Sequence, residues 1–143
     1  MELHPYLILH GQAAEALSFY KKALKLRITH SQTYNDSPLP VPRERKKWLV
    51  HGELSQGKDC FMMIADNPTA NEGNATFMHL SLNFEELWKA RRAFDMLAVG
   101  GTITAPLTTE IWGATFGQLT DRYGVRWMIN CEKKRKQPSM PTF

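Results

Sequence analysis

Apolar positions recur along this chain with two different periods, and the alternation between them predicts its elements. Ala13, Ala16, Leu17, Tyr20 and Leu24 fall on one face of a helix. Leu87, Ala90, Phe94 and Leu97 do the same further on, with Lys89, Arg91 and Arg92 turned outward. Asn83 with Glu86 reads as a capping-box-like start of this second helix, and Gly100 with Gly101 as its end. Period-two segments predict strands over 5–9, 27–34, 48–55, 59–65, 76–82, 102–108, 115–119 and 126–131. The order is βαβββ, repeated, with 68–73 as a linker. Residues 1–67 are then a first module, 74–132 a second, and 133–143 a basic tail without order, the whole forming one structural domain. The repeat is one of pattern, with Phe61-Met62-Met63-Ile64 set against Trp127-Met128-Ile129-Asn130.

A four-stranded sheet with one helix covers one face only, so the other face needs a partner. Two such α+β modules satisfy each other by joining their sheets into a curved surface with a concave cavity, helices outside. Strand parity assigns the lining. Turning the more apolar set of each strand to the helix leaves Leu49, His51 and Glu53 on the cavity side of one strand. Phe61 and Met63 follow on the next, Phe77, His79 and Ser81 on another, and Arg126, Met128 and Asn130 on the last. A few polar groups among apolar walls is the composition of a small-molecule site.

Composition adds limits rather than a function. The 143 residues are 43% hydrophobic and 22% charged, enough for a core in one compact domain. The net charge of +4 comes from two clusters, Arg43, Arg45, Lys46 and Lys47 in a loop and Lys133 to Lys136 in the tail. Such runs are ordinarily solvated, and no specific nucleic-acid partner is expected. Cys60 and Cys131 belong to no C-x-x-C pair or zinc spacing, which fits a reducing, cytoplasmic setting. No apolar run approaches the length of a membrane span, and the first residues do not read as a signal peptide. Neither a P-loop nor a G-x-G-x-x-G turn nor a G-x-S-x-G elbow occurs.

The densest motif is 112–130, W-G-A-T-F-G-Q-L-T-D-R-Y-G-V-R-W-M-I-N, a strand, a turn around Asp121 to Gly124, and an apolar strand. It resembles the PhnB-like branch of the vicinal oxygen chelate superfamily, which includes glyoxalase I and the bleomycin-resistance proteins. The stretch His51-Gly52-Glu53-Leu54 with Met63-Ile64-Ala65-Asp66 is similar to the same branch. The resemblance covers the chain to about Glu132, and implies the paired-module fold and a homodimer. It also places the superfamily's metal ligands at about Pro5, Met63, Phe77 and Met128, with His4 on the opposite parity from Pro5. None is a hard-metal ligand, so no metal and no cofactor is expected. PhnB-like proteins are also labelled methyltransferases, but the glycine-rich turn that would hold a methyl donor is missing.

Two functions remain. One is a metal-independent binding protein that sequesters a small molecule in the bleomycin-resistance manner. The alternative is an enzyme of unknown reaction using His51, Glu53 and His79, with or without a displaced metal. His4, His10 and His30 read as surface or packing residues. Trp112 and Phe116 either rim the pocket or pack a dimer. Residues 35–47, with Pro38, Pro40 and Pro42, form either a mobile loop or a lid.

Overall fold

Glycines at matching places in two strands let two helices settle close onto two sheets. In the computed structural model, which describes residues 2–69, 78–109 and 113–132, the chain divides into two units, Met1–Asn74 and Ala75–Phe143. The first holds β1 (Tyr6–Leu9), α1 (Ala13–Leu24), β2 (Arg27–Thr33), β3 (Leu49–Gln56) and β4 (Asp59–Asp66), in the sheet order β1-β4-β3-β2. The second holds β5 (Leu80–Phe84), α2 (Leu87–Ala98), β6 (Thr102–Thr109), β7 (Thr115–Thr120) and β8 (Arg126–Cys131), ordered β5-β8-β7-β6. In each, first and last strands pair in parallel and the rest antiparallel. The two predicted βαβββ modules are therefore present. The tail 133–143 and most of the linker lie outside the described residues.

Helix α1 follows from its alanines, which are strong helix formers, and from its apolar stripe. It buries Ala13, Ala16, Leu17, Tyr20 and Ala23 on β3 and β4, where Leu54, Met62 and Ile64 are also buried. Helix α2 buries Ala90, Ala93, Phe94 and Leu97 in the same way, opposite Leu119, Trp127 and Ile129. A Cβ on Gly52 would lie 2.7 Å from the Leu17 side chain, and one on Gly117 2.7 Å from Phe94. Gly52 pairs with Ile64 and Gly117 with Ile129, so the two glycines are counterparts. This register also corrects the expected alignment by one residue: Met62 and Ile64, not Phe61 and Met63, answer Trp127 and Ile129.

Other boundaries differ from expectation. Asn83 lies inside β5, and α2 begins after Glu86 with no side-chain cap, so the capping box does not form. The fifth strand starts at Leu80 rather than 76, with residues 76 and 77 outside the described set. The 35–47 loop has structure of its own, two 3-10 turns at Tyr34–Asp36 and Arg43–Arg45. Backbone bonds from Tyr34 to Trp48 and from Asn35 to Lys46 close its base, and the Arg45 guanidinium donates to the Pro68 carbonyl.

One buried carboxylate fastens each unit. In the first, Asp66 at the end of β4 accepts the N–H groups of Gly11 (2.8 Å) and Ala13 (3.1 Å) on Oδ1 and that of Leu49 (3.0 Å) on Oδ2. It thereby supplies the N-terminal cap that Gln12 leaves unmade. In the second, Asp121 accepts Tyr123 N–H (2.8 Å) and Val125 N–H (3.1 Å) on Oδ1, and the Trp127 indole (2.9 Å) on Oδ2. Gly124, at φ 87°, completes that turn in the left-handed conformation expected of it. The densest sequence motif is thus a hairpin fastening. Replacing either aspartate with Ala strands three donors, and each is expected to lower unfolding stability by about 3–5 kcal/mol. Exposed Asp95→Ala should stay within about 0.5 kcal/mol in the same denaturant melts.

Candidate functional site on the first sheet

The face of the first sheet away from α1 is organised by register, and three bulges decide which side chains reach it. Tyr6 pairs with Met63, Met63 with Glu53, and Glu53 with His30. Paired residues point to the same side, so these four form a row across all four strands. Tyr6 rather than Pro5 therefore shares the face with Met63, which corrects the strand-one position and places His4 at the same parity as Tyr6.

His30 arrives there through an irregularity. Ile28 pairs with Leu54 but His30 with Glu53, so Thr29 is an extra residue in β2. Such a bulge inverts parity beyond it, and His30 comes out beside Glu53 while Ile28 stays with buried Leu54. The same device moves Leu49 the other way. Gln32 pairs with His51 but Thr33 with Leu49, which makes Val50 the extra residue. Leu49 is then 2% exposed, a core residue and not part of the lining as expected. A third shift, at Phe61, separates Cys60 from Met62 and turns the thiol from the helix side toward Glu53. Phe61 itself is the half-buried extra residue.

The polar groups of this face are linked in a chain. Nε2 of His51 lies 3.1 Å from Glu53 Oε1, and Nδ1 lies 2.7 Å from the Tyr6 hydroxyl. A carboxylate only accepts, so Nε2 carries a proton, and with the imidazole neutral Nδ1 accepts from the Tyr6 hydroxyl. Tyr6 and His51 stand on β1 and β3, which flank β4, so this contact crosses β4 above Met63 and Ala65. The His30 ring lies beside that of His51, centroids 5.4 Å apart, and the Tyr6 ring 5.6 Å away on the other side. Burial, then the negative charge of Glu53, raises the Tyr6 pKa, so the phenol stays protonated at neutral pH. Burial and then Glu53 and Glu2 raise the Cys60 thiol as well, leaving it an unreactive thiol.

The sequence brought His51 and Glu53 together correctly. His79 belongs to the second unit, exposed in the segment before β5. On the helix-free face there, Asn130 donates to Ser81 (2.9 Å), Phe116 pairs with Asn130, and Met128 with Ser81. Phe77 and Trp112 lie outside the described residues. His10 is a packing residue, edge-on to Trp48 at 4.8 Å with Nδ1 2.9 Å from the Asn67 carbonyl oxygen. His4 contacts Glu2 at 3.1 Å. The residues missed were Tyr6 and His30. Alternation could have found Tyr6, given the right partner strand; no local signal marks the bulge that turns His30.

These residues do not suit the metal that the superfamily resemblance suggests. On the first sheet a protonated phenol, Tyr6, and the Met63 thioether stand where hard oxygen or imidazole donors would be needed. Among the described residues, no three His, Cys, Asp or Glu side chains gather as a metal site.

A model of the glyoxalase/bleomycin resistance protein/dioxygenase superfamily matches residues 2–129. The chain belongs to this superfamily. Protein YjdN of Escherichia coli K12 is 25% identical over 146 residues, spanning 94% of this chain and 98% of that protein. The crystal structure of PA1353 from Pseudomonas aeruginosa is similar at 36% identity and TM-score 0.83, covering 94% of this chain and 99% of that one. A PhnB protein from Bacillus cereus, described as a putative 3-demethylubiquinone-9 3-methyltransferase, is similar at 25% identity and TM-score 0.77, covering 92% and 100%. The PhnB-like resemblance of the sequence is thereby upheld. No helix among the described residues is long and apolar enough to cross a membrane.

The face assignment has a direct test. His51→Ala is expected to cost no more than about 1 kcal/mol, because the ring fills no helix-facing space. Ile129→Ala, fully buried under α2, should cost about 2–5 kcal/mol. Equal losses in urea melts would show that the helix-free face is part of the folding core.

Proposed function

We propose that this protein is a metal-independent small-molecule binder, and that the Tyr6–His51–Glu53 chain fixes the orientation of its ligand in the first module. The observation that carries this reading is that both ring nitrogens of His51 are already engaged, by Tyr6 and by Glu53. An imidazole so held is fixed in orientation, and a ligand reaches its Nδ1 only by displacing the Tyr6 hydroxyl. A phenol whose pKa is raised is likewise a hydrogen-bond donor rather than a nucleophile. The thioether of Met63, in the same row of side chains, gives this face an adaptable apolar character suited to holding an organic molecule. The bleomycin-resistance name within the family description supports sequestration as the role.

A thermal-shift screen against a metabolite and antibiotic library tests this, since a ligand selective for the folded state raises the melting temperature. A hit is expected whose stabilisation falls in Tyr6→Leu or Glu53→Gln. Elemental analysis after dialysis should find well under one divalent ion per chain. Stoichiometric zinc, nickel or iron, lost on replacing His51, would overturn the reading in favour of metal chemistry.

The methyltransferase description of the Bacillus cereus protein does not extend to this chain in our reading. The two mixed sheets offer no parallel α/β unit with a glycine-rich turn among the described residues. Calorimetry with S-adenosylmethionine is expected to give no saturable heat. Binding tighter than about 10 µM, roughly −7 kcal/mol, would reinstate that activity.

A further inference from the structure

The net charge of this chain is +4, yet the face just described holds a carboxylate with no lysine or arginine paired to it among the described residues. The contact of Glu53 is His51, engaged through Oε1. A neutral imidazole satisfies both contacts of the hydroxyl-to-imidazole-to-carboxylate chain, and Glu53 is the acidic side chain of the row. Oε2 keeps its acceptor capacity, and the side chain is 34% exposed. Rings stand on both sides of the His51–Glu53 pair: His30 pairs with Glu53 across the β2–β3 ladder, and the Tyr6 ring, 43% exposed on average over the residue, lies on the far side of His51. Burial first, and the Glu53 carboxylate second, raise the pKa of the Tyr6 phenol and the Cys60 thiol, which stand on different strands. An accessible acceptor charge beside aromatic faces is the surrounding that a protonated amine prefers. Carboxylate pairing holds the N–H groups, and the quadrupole of the Tyr6 ring attracts the cation.

Resting on the binding reading above, we propose that the ligand engaged at this face is an organic cation, a protonated amine carried on an apolar or aromatic body. Glu53 takes the ammonium group, the Tyr6 and His30 rings flank it, and Met63 lies under the apolar body. His51 positions Glu53 by occupying one of its oxygens, leaving the other for the ligand.

Three probes of one shape and different charge separate the possibilities: phenethylamine, neutral 2-phenylethanol and anionic 3-phenylpropanoate. Binding is read from amide and imidazole resonances of uniformly 15N-labelled full-length protein. Phenethylamine is expected to shift signals of residues 30, 51 and 53 saturably, and to bind at least tenfold tighter than either analogue. Glu53→Gln keeps the shape of the side chain and should lose at least tenfold in amine affinity, while 2-phenylethanol binding stays within about twofold. A tenfold loss corresponds to about 1.4 kcal/mol. Tyr6→Phe keeps the ring and should retain amine binding within about threefold, whereas Tyr6→Leu should weaken it. The proposal is overturned if 3-phenylpropanoate binds as well as the amine, if Glu53→Gln leaves amine affinity unchanged with native melting, or if the amine produces no saturable shift. Neutral or anionic hits from the library screen would sink the cation assignment while leaving the binding role standing; a screen without any hit would remove both.

Discussion

The first module depends on where the Asp66 carboxylate goes. A buried carboxylate needs donors, and three backbone N–H groups from two separate segments supply them. Two belong to the turn that opens α1, and the third to the first residue of β3. The Asp66 carbonyl also accepts the buried Tyr34 hydroxyl (2.7 Å), which ties down the chain where β2 ends. One side chain therefore sets the start of the helix, the end of β4 and the entry into β3. The Tyr6–His51 contact spans β1 and β3 across β4, so its geometry follows from the alignment that Asp66 enforces.

The second module has the same layout and a different fastening. The place of Asp66 is taken there by Cys131, because Leu9 pairs with Asp66 and Phe84 with Cys131. Its carboxylate sits instead at the opposite end of the last strand, at Asp121 in the β7–β8 turn. The corresponding turn of the first module, at Gln56 to Asp59, is tight and built on Gly57 at φ 59°. Two modules of one topology thus divide the labour differently. The first is held at the helix end of its sheet and carries the polar chain; the second is held at its hairpin.

The parts of this protein visible in its sequence are those governed by uninterrupted periodicity. Both helices, the order of elements along the chain and the inward set of β8 (Trp127, Ile129 and Cys131) follow from spacing alone. The setting of His51 beside Glu53 follows because no irregularity separates them. What spacing could not yield were the side chains beyond a bulge. Leu49, Cys60 and His30 all lie on the face opposite to a strict alternation, each one step past an extra residue. The expected cap at Asn83 failed for a different reason: β5 pairs with β8 as far as Phe84, and the ladder claims Asn83 before the helix can. Long-range pairing overrides local preference in both cases. Within 112–130, which carries the PhnB-like resemblance, Asp121 and Trp127 hold the hairpin together.

The extra residue at Thr29 has a consequence for how such a face changes over generations. Substitution alters one side chain at a time, and the outcome is graded. Shortening β2 by its one surplus residue would leave every other amino acid intact and rotate His30 to the opposite surface, exchanging it for a neighbour in a single genetic event. Small insertions and deletions at bulges can therefore rewrite the chemistry of a sheet surface while the scaffold beneath keeps its sequence, which lets one architecture present very different recognition surfaces.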